Sequence, residues 1–440
     1  MTGNFPRALV IDGNPFSHTR NTGIVKSPLF AGWPKERLCQ ITGSTLGAEF
    51  DICERYWHLT EVGILRGFMG CPPDRTRCEM TATQEVPEPN SVYLRTPRRR
   101  GLSSWLNPAV KVQLSSVIYL LGSLLSPPLR KWVDDFSPEV IFTFGGSVAT
   151  LRLAALIADR CNINVVIYFG DDWISTLHSG DLLGPLLQRS ARHWLNRCLT
   201  MAPVRLTPTE AMAREYEKRF GGSFEVMHYA LPVRPYALPP SLAVTRLLFV
   251  GTMVPDRWPG LKNIGRALDS LALEGVKGEL IVYSYPDELR ALRDQDIPRS
   301  VKLAGTAPPT DVARLQSEAN ILVHVESFDK KHRSYTRLSL STKIPQYFMA
   351  GRCVFGMGPE EGASIQYISE TDAGVSVTVD SVDKVKDALR FLIIDRLARQ
   401  RFGERAYQIA VERNNVERVR ERFRELICDA ARDGRYKARE

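Results

Sequence analysis

The chain has 440 residues, of which 44% are hydrophobic, so it can bury ordinary cores and is too long for one typical domain. This composition excludes an intrinsically disordered protein. The formal net charge of +9 is weak evidence for an anionic partner and does not choose among a nucleotide, a membrane surface and nucleic acid.

The eight cysteines are scattered, and no two are spaced as C-x-x-C. This argues against a structural zinc site and a disulfide framework, and for a reducing compartment. The amino-terminal residues lead almost directly into a strand and lack the pattern of a signal peptide. The most apolar run, Leu114–Leu125, is shorter than the roughly 20 residues that a membrane-spanning helix needs. We therefore predict a cytoplasmic protein.

The first predicted strand, Ala8–Ile11, leads into a long polar loop, and Leu38–Thr42 is a second candidate strand. A strand followed by a Gly/Asn-rich turn opens many ligand sites at the carboxyl edge of α/β sheets. Thr22 and Gly23 could therefore let the backbone approach a ligand, although a plain connecting loop fits equally well. His18 could act as a base, or it could be a solvated loop histidine.

A basic run, Arg98–Arg100, precedes the apolar-rich segment 102–132. Together they could form an amphipathic element that docks on an anionic membrane leaflet. A core helix beside a solvated basic loop is the alternative. Peripheral contact with the cytoplasmic face of a membrane is therefore one of two interpretations of this region.

A βαβ pattern follows, with strands at Val140–Phe144 and Val165–Phe169 and a helix at Ala149–Ala158 between them. Such a unit implies parallel strands joined by a right-handed crossover. Polar residues at the carboxyl ends of these strands are candidate ligand contacts, namely Ser147, Asp171 and Asp172. For the two aspartates, a turn with a helix-capping carboxylate is the alternative.

The first series ends with a predicted helix at Glu210–Phe220 and a strand at Phe224–Met227, and the proline-rich segment Leu231–Leu242 is the best linker in the chain. We place the first domain at residues 1–235 and the linker at residues 236–245. A second α/β series then occupies residues 246–405, and a charged helical segment, residues 406–440, closes the chain.

The second series opens with a strand that ends at Gly251 and a helix predicted at Ile264–Leu273, which Asn263 could cap. Arg257 and Lys262 lie between them. Two cations ahead of the free N–H groups of a helix would suit a diphosphate. Ordinary solvated surface cations are the alternative.

Further along, a strand ending at Leu303 leads to Gly305 and Thr306, and the strand Ile321–Val325 ends at Glu326.

The stretch STKIPQYFMAGRCVFGMG begins at Ser341 and predicts a short helix followed by a buried strand. Ser341 or Thr342 can cap the helix, and Lys343 lies among the free N–H groups that favour an anion. Gln346, three residues further on, projects from the same face. The stretch could hold a nucleotide diphosphate and its ribose, or it could be an ordinary surface helix.

This stretch is similar to the S-x-K-hydrophobic-x-E-Y-x-A-x-G-x-P-V string in the donor-site helix of retaining GT-B glycosyltransferases, a large family of bacterial polysaccharide and glycolipid sugar transferases. Gln346 stands where the family usually has Glu, and Cys353 where it usually has Pro. The D-D-W segment at Asp171 and the G-x-x-x…K-N segment ending at Asn263 also resemble the family. The likeness covers roughly residues 138 to 433, with a weaker echo at the amino terminus.

The resemblance implies an α/β fold of two Rossmann-like domains, with parallel sheets facing across a cleft and a carboxyl-terminal helix that crosses back onto the first domain. It also implies a nucleotide-diphospho-sugar donor, a glycan or glycolipid acceptor, retention of configuration, and no metal or other cofactor, because basic side chains would stabilise the leaving diphosphate. Nucleic-acid binding is the weakest option, since no recognisable module interleaves basic and aromatic residues.

By the same likeness, residues are assigned to three groups. The catalytic group is Lys262, Arg257, Asp171 and Glu326. The donor-binding group is Lys343, Gln346, Ser341, Thr342, Gly251, Gly305, Thr306, Thr22 and Gly23. The acceptor-binding group is Asp172, Ser147 and His18. An inverting transferase with His18 or Asp171 as base, a nucleotide-sugar epimerase, and an inactive scaffold that binds a partner remain alternatives.

Overall fold

The computed structural model describes residues 5–45, 47–60, 64, 78–80, 122, 124–172, 184–292 and 295–432. Most of the basic and apolar-rich region around residues 98–132, for which membrane contact is one interpretation, lies outside these ranges. The chain divides into two compact units. The first comprises Met1–Met227 together with Arg420–Glu440, and the second comprises His228–Val419.

The first unit is built on an eight-stranded sheet with the order β4-β3-β2-β1-β5-β6-β7-β8. Its neighbouring strands pair in parallel, except for β3 with β4. The four central strands are fully buried, as expected for a parallel sheet covered on both faces. The strands are β1 Ala8–Asp12, β2 Leu38–Thr42, β3 Tyr56–His58, β4 Glu79–Met80, β5 Val140–Phe144, β6 Asn164–Tyr168, β7 Val204–Thr207 and β8 Glu225–Val226.

Helices cover this sheet, and the last helix of the chain joins them. The helices are α1 Gly23–Phe30, α2 Pro127–Phe136, α3 Val148–Cys161, α4 Gly184–Thr200, α5 Glu210–Phe220 and α14 Val416–Arg432. Phe423 of α14 packs against Phe30 and Phe142, with ring centroids 5.0 and 5.3 Å apart. The end of the chain thus returns to the core of the first unit, as the resemblance implies.

The second unit has a six-stranded, wholly parallel sheet with the order β11-β10-β9-β12-β13-β14. Its strands are β9 Thr245–Val250, β10 Gly278–Tyr283, β11 Val301–Leu303, β12 Ile321–Val325, β13 Cys353–Met357 and β14 Gly374–Val377. Its helices are α6 Trp258–Leu273, α7 Pro286–Arg290, α8 Pro309–Ser317, α9 Lys330–Thr336, α10 Lys343–Met349, α11 Ala363–Glu370, α12 Val382–Ile394 and α13 Arg396–Arg413.

The proline-rich segment placed at residues 236–245 is anchored within the second unit rather than free between two units. The buried guanidinium of Arg352 donates to the carbonyl of Ala237 at 2.7 Å, and the side-chain amide of Asn320 donates to the carbonyl of Pro240 at 2.8 Å. Prolines explain the lack of regular structure here, but these carbonyl contacts, which composition does not reveal, fix the segment in place.

Two helix boundaries also differ from the sequence prediction. Helix α6 begins at Trp258, and Pro259 is compatible with its first turn. Asn263 therefore lies inside the helix, where its side chain donates to Asp380 instead of capping the helix. The charged segment predicted as one helix is broken after Arg413, where the side chain of Asn414 donates to the carbonyl of Tyr229 at 2.7 Å. None of the described helices is long and apolar enough to span a membrane.

Candidate functional site

The carboxyl edge of the second sheet carries most of the predicted donor-site residues. Strands β9 to β12 end there in loops that contain Gly251, Ser284, Gly305 and Glu326. Because parallel strands present their carboxyl ends at one edge, residues far apart in sequence meet there.

Lys343 is the central charged group of this edge. A Cβ at Gly251 would lie only 2.6 Å from Nζ of Lys343, and Gly251 has a φ of +133°, so only glycine suits this position. The amine lies 4.7 Å from the centroid of the Phe249 ring. Although other atoms of the residue are partly exposed, the amine is buried and has no hydrogen-bond partner among the described residues.

The surroundings of Lys343 disfavour its charged form. Burial, together with repulsion from Arg257, lowers the pKa of Lys343 to about 7, although Glu288 opposes the shift. A buried ammonium without a counter-ion is costly, so this cation is suited to receive an anion that enters from the sheet edge.

Glu288, which the sequence reasoning missed, organises the loop after β9. It accepts hydrogen bonds from the hydroxyl of Thr252 at 2.6 Å, from the N–H of Met253 at 3.0 Å, and from the hydroxyl of Ser284. Burial alone would raise the pKa of Glu288, but these bonds outweigh it and hold that pKa below its usual range. The carboxylate therefore stays ionised while it holds the loop beside Lys343.

Arg257 ties the same loop to β12. Its Nε donates to the carbonyl of Val325 at 2.9 Å, and its Nη1 donates to the carbonyls of Thr252 and Val254. Arg257 thus lies at the site, where its positive charge helps to lower the pKa of Lys343 and the pKa of His324. Several of its N–H groups also hold the backbone of the loop.

Glu326 lies directly after β12 and is 3% exposed. Its Oε1 is 3.1 Å from Nε2 of His324, whereas its Oε2 and Nδ1 of His324 are buried without a partner in the described part of the chain. Burial lowers the pKa of His324 even though Glu326 opposes the shift, so the imidazole is neutral near pH 7. Glu326 therefore keeps one unsatisfied carboxylate oxygen at the end of the strand.

The remaining donor-site predictions lie at the start of α10 and in the turn after β11. Ser341 accepts the N–H of Lys343 at 3.4 Å, whereas Thr342 makes no side-chain cap. The half-exposed side chain of Gln346 has no hydrogen bond within the described ranges. The hydroxyl of Thr306 donates to the carbonyl of Ser284 at 2.9 Å, which fixes the turn that begins at Gly305.

Lys262 lies in the second turn of α6, where its amine is 3.7 Å from a carboxylate oxygen of Asp296. It is not in a strand-to-helix loop, because α6 begins four residues earlier. Within the described ranges the partner of Lys262 is thus Asp296 rather than a member of the Lys343 cluster, which comprises Lys343, Gly251, Arg257 and Glu288.

In the first unit, the loop after β1 is held by a buried ion pair. The amine of Lys26 donates to Oδ2 of Asp12 and, at 2.5 Å, to the carbonyl of Asn14, and the hydroxyl of Thr22 donates to the same Oδ2 at 2.6 Å. Burial lowers the pKa of Lys26, and Asp12 opposes that shift. Gly23 packs against Ser17, since a Cβ there would lie 2.7 Å from the backbone nitrogen of Ser17. The predicted Thr22 and Gly23 thus begin helix α1 rather than form an open loop.

The acceptor-side candidates differ in their access to solvent. Asp171 is exposed, but Asp172 is 1% exposed and accepts bonds from Tyr216 at 3.1 Å and Arg219 at 3.0 Å, so its carboxylate secures α5. Ser147 caps α3 in a reciprocal capping box with Thr150.

His18 is exposed, with Nε2 at 2.7 Å from Asp51 and 3.5 Å from Glu49. The ligand atoms of these three residues lie within 4.8 Å of one another, as a metal site would require. Both oxygens of Glu49, however, already accept the N–H of His18. The predicted absence of a metal remains a prediction.

Solved structures of glycosyltransferases share this architecture. HepE from Anabaena in complex with UDP matches with a TM-score of 0.62 at 13% identity, over 96% of this chain and 100% of that one. Sucrose-phosphate synthase from Thermosynechococcus elongatus matches with a TM-score of 0.62 at 12% identity, over 97% and 100%. WaaG, a glycosyltransferase involved in lipopolysaccharide biosynthesis, matches with a TM-score of 0.56 at 13% identity, over 96% and 99%.

These similarities show that the chain has the GT-B fold of two Rossmann-like domains, which confirms the predicted fold class. No family model matches the chain, and no curated protein matches it in sequence.

Proposed function

We propose that the protein is a glycosyltransferase whose nucleotide-diphospho-sugar donor binds at the carboxyl edge of the second sheet. The observation that carries the proposal is the buried, unpartnered amine of Lys343 against Gly251. A diphosphate would supply the missing counter-charge, and the same amine would stabilise the charge that develops on the leaving group. The UDP and UDP-glucose bound to HepE, a protein of the same fold, support a donor of this class.

The finer assignments belong to the same proposal. Arg257 and Lys262 assist Lys343, Gln346 binds the ribose, and Glu326 uses its free oxygen for a sugar hydroxyl. Transfer proceeds with retention, without a metal, to a glycan or glycolipid acceptor. The cysteines of the described ranges are all free, which supports a cytoplasmic location. The anomeric configuration of the product distinguishes retention from inversion.

A thermal-shift panel of UDP-, GDP-, ADP- and dTDP-sugars, each with and without EDTA, tests the donor site. One nucleotide class is expected to raise the Tm by several degrees, because a ligand at 100 times its Kd stabilises the folded state by about 2.7 kcal/mol. EDTA is expected to leave the shift unchanged. No shift with any donor would favour the inactive scaffold, and a shift lost with EDTA would contradict the metal-independent assignment.

Glu288→Gln is expected to weaken donor binding roughly tenfold, since a buried bond to a charged acceptor contributes about 1.5–3 kcal/mol and the amide cannot accept all three donors. Loop 251–257 would then hold Lys343 less firmly. Calorimetric titration with the stabilising donor measures the effect. Asp287→Asn is the matched control, because within the described ranges the side chain of the neighbouring Asp287 bonds only to the exposed Arg290. Equal donor affinities of the two variants would show that Glu288 does not contribute to donor binding.

A further inference from the structure

The first unit contains a cavity of about 260 Å³ at the carboxyl ends of β1, β2 and β5. Most of its wall is apolar, with side chains contributed by Ile11, Ile41, Leu59, Leu153 and Leu187. An apolar cavity of about 150 Å³ is large enough to bind benzene in other proteins. This cavity therefore has room for a larger apolar body, such as two fused rings.

The side-chain polar groups of the wall are almost all satisfied within the chain. The hydroxyl of Thr42 donates to the carbonyl of Ser44 at 2.9 Å, and Ser147 and Thr150 bond to each other. Asp12 is the exception. Its Oδ2 accepts from Lys26 and Thr22, but its Oδ1 accepts no hydrogen bond from any described residue.

These groups define the charge of a suitable ligand. Lys26 already neutralises Asp12, so an amine would gain little beyond one hydrogen bond. An anion would face the free oxygen of Asp12, and the side chain of Ser147 already occupies an N–H group at the start of α3 that a phosphate would need. The wall thus favours an uncharged hydroxyl that donates to Asp12 Oδ1.

The same wall disfavours a bare sugar. A hexose carries several hydroxyls, and each one buried without a partner costs about 1–3 kcal/mol. One free side-chain acceptor in a mostly apolar wall matches a ligand with one buried hydroxyl on an apolar body.

We propose that this cavity binds an uncharged alcohol with an apolar body. The assignment of that alcohol as the acceptor, or as the apolar part of a glycolipid acceptor, rests on the proposed function; the binding itself does not. The proposal narrows the acceptor from glycans in general to molecules with an apolar aglycone.

Three ligands with the same ring system test the proposal: 1-naphthylmethanol, 1-naphthoate and 1-naphthylmethylamine, each titrated by calorimetry into the full chain. The alcohol is expected to bind saturably, and both the carboxylate and the amine at least tenfold more weakly. Gly146 lines the cavity, and a Cβ there meets nothing within 4 Å, so Gly146→Leu adds a side chain at the wall whose Cβ has room. It should weaken alcohol binding at least tenfold.

Gly170→Leu is the matched control. Gly170 also follows a strand of the first sheet, its nearest neighbour to a Cβ is an atom of Tyr168 at 3.9 Å, and it does not line the cavity. This variant should bind the alcohol like the wild type. Unfolding curves of both variants verify that they fold.

Three results would overturn the proposal: no saturable binding of the alcohol, equal affinity for 1-naphthoate or the amine, or unchanged affinity in Gly146→Leu. Titration of the same proteins with UDP-glucose and the other donors separates this outcome from the proposed function. Donor binding without alcohol binding refutes the cavity assignment alone, and alcohol binding without donor binding refutes the transferase alone.

Discussion

Lys343→Met is expected to lower the turnover of the nucleotide-sugar about 10²–10³-fold, the usual effect of removing one preorganised group that stabilises developing negative charge. Methionine keeps most of the length of the side chain beside Gly251 and Phe249 but removes the amine that has no protein partner. Steady-state kinetics with the donor identified by the thermal-shift panel measures the loss. A variant that retained near-full turnover would exclude Lys343 from the reaction.

The pH dependence of donor binding is a second test of the role assigned to Lys343. Because burial lowers the pKa of Lys343 to about 7, the amine is mainly charged at pH 6 and mainly neutral at pH 8.5 in the free protein. A bound diphosphate favours the charged form and raises this pKa. Affinity should therefore be constant below about pH 6.5 and fall about tenfold per pH unit above pH 7, with uptake of one proton on binding.

Nucleotide-diphospho-sugars suit this measurement because their diphosphate is esterified at both ends and does not titrate near neutral pH. Lys343→Met should bind donor weakly and without the pH slope. Lys262→Met should bind less tightly than the wild type but keep the slope, since Lys262 pairs with the exposed Asp296 and lies outside the Lys343 cluster. A slope that survives in Lys343→Met would assign the proton to another group.

Lys26→Met is expected to destabilise the first unit by about 3–5 kcal/mol, because it leaves the buried carboxylate of Asp12 without its counter-charge. Lys26 is fully buried, and Asp12 is 5% exposed. Chemical denaturation followed by circular dichroism measures the loss, with the transition of the first unit analysed separately from that of the second.

Two further variants isolate the charge effect of Lys26. Lys35→Met removes an exposed cation that pairs with Glu54, where the side chains are 40% and 50% exposed, and it should change the stability by only about 0–1 kcal/mol. Lys26→Met combined with Asp12→Leu should be less destabilising than Lys26→Met alone, because no unpaired charge remains. A double variant as unstable as the single one would show that lost packing, not charge, dominates.

The sheets could be predicted from sequence because buried parallel strands are continuous apolar runs. Strands Val140–Phe144 and Ile321–Val325 have the predicted boundaries. The strand Tyr56–His58 was not predicted, because three residues are too few to show the alternation of a strand. The start of α6 was missed because the sequence W-P-G looks like a loop, whereas a proline in the first turn is compatible with a helix.

The candidate site was predicted less completely than the fold. Lys343 and Gly251 each carry a local signal, a cation near a helix start and a glycine after a strand, and the structure brings them together. Glu288 and His324 carry none. His324 lies inside an apolar strand, and two of the partners of Glu288, Thr252 and Met253, lie more than thirty residues away along the chain. These contacts form when the fold brings separate loops and strand ends together, and no local sequence pattern encodes them.

The anchoring of the proline-rich segment determines where the chain can be cut. Arg352 is 1% exposed, and its guanidinium donates to the carbonyls of Ala237 and Leu238. A fragment beginning at residue 246 would delete these two acceptors and leave Arg352 only the carbonyls of Ser317, Ala350 and Gly351, whereas one beginning at His228 would retain all of them. The second unit, expressed for separate study of donor binding, should therefore begin at His228, eighteen residues before the residue at which its sequence pattern begins.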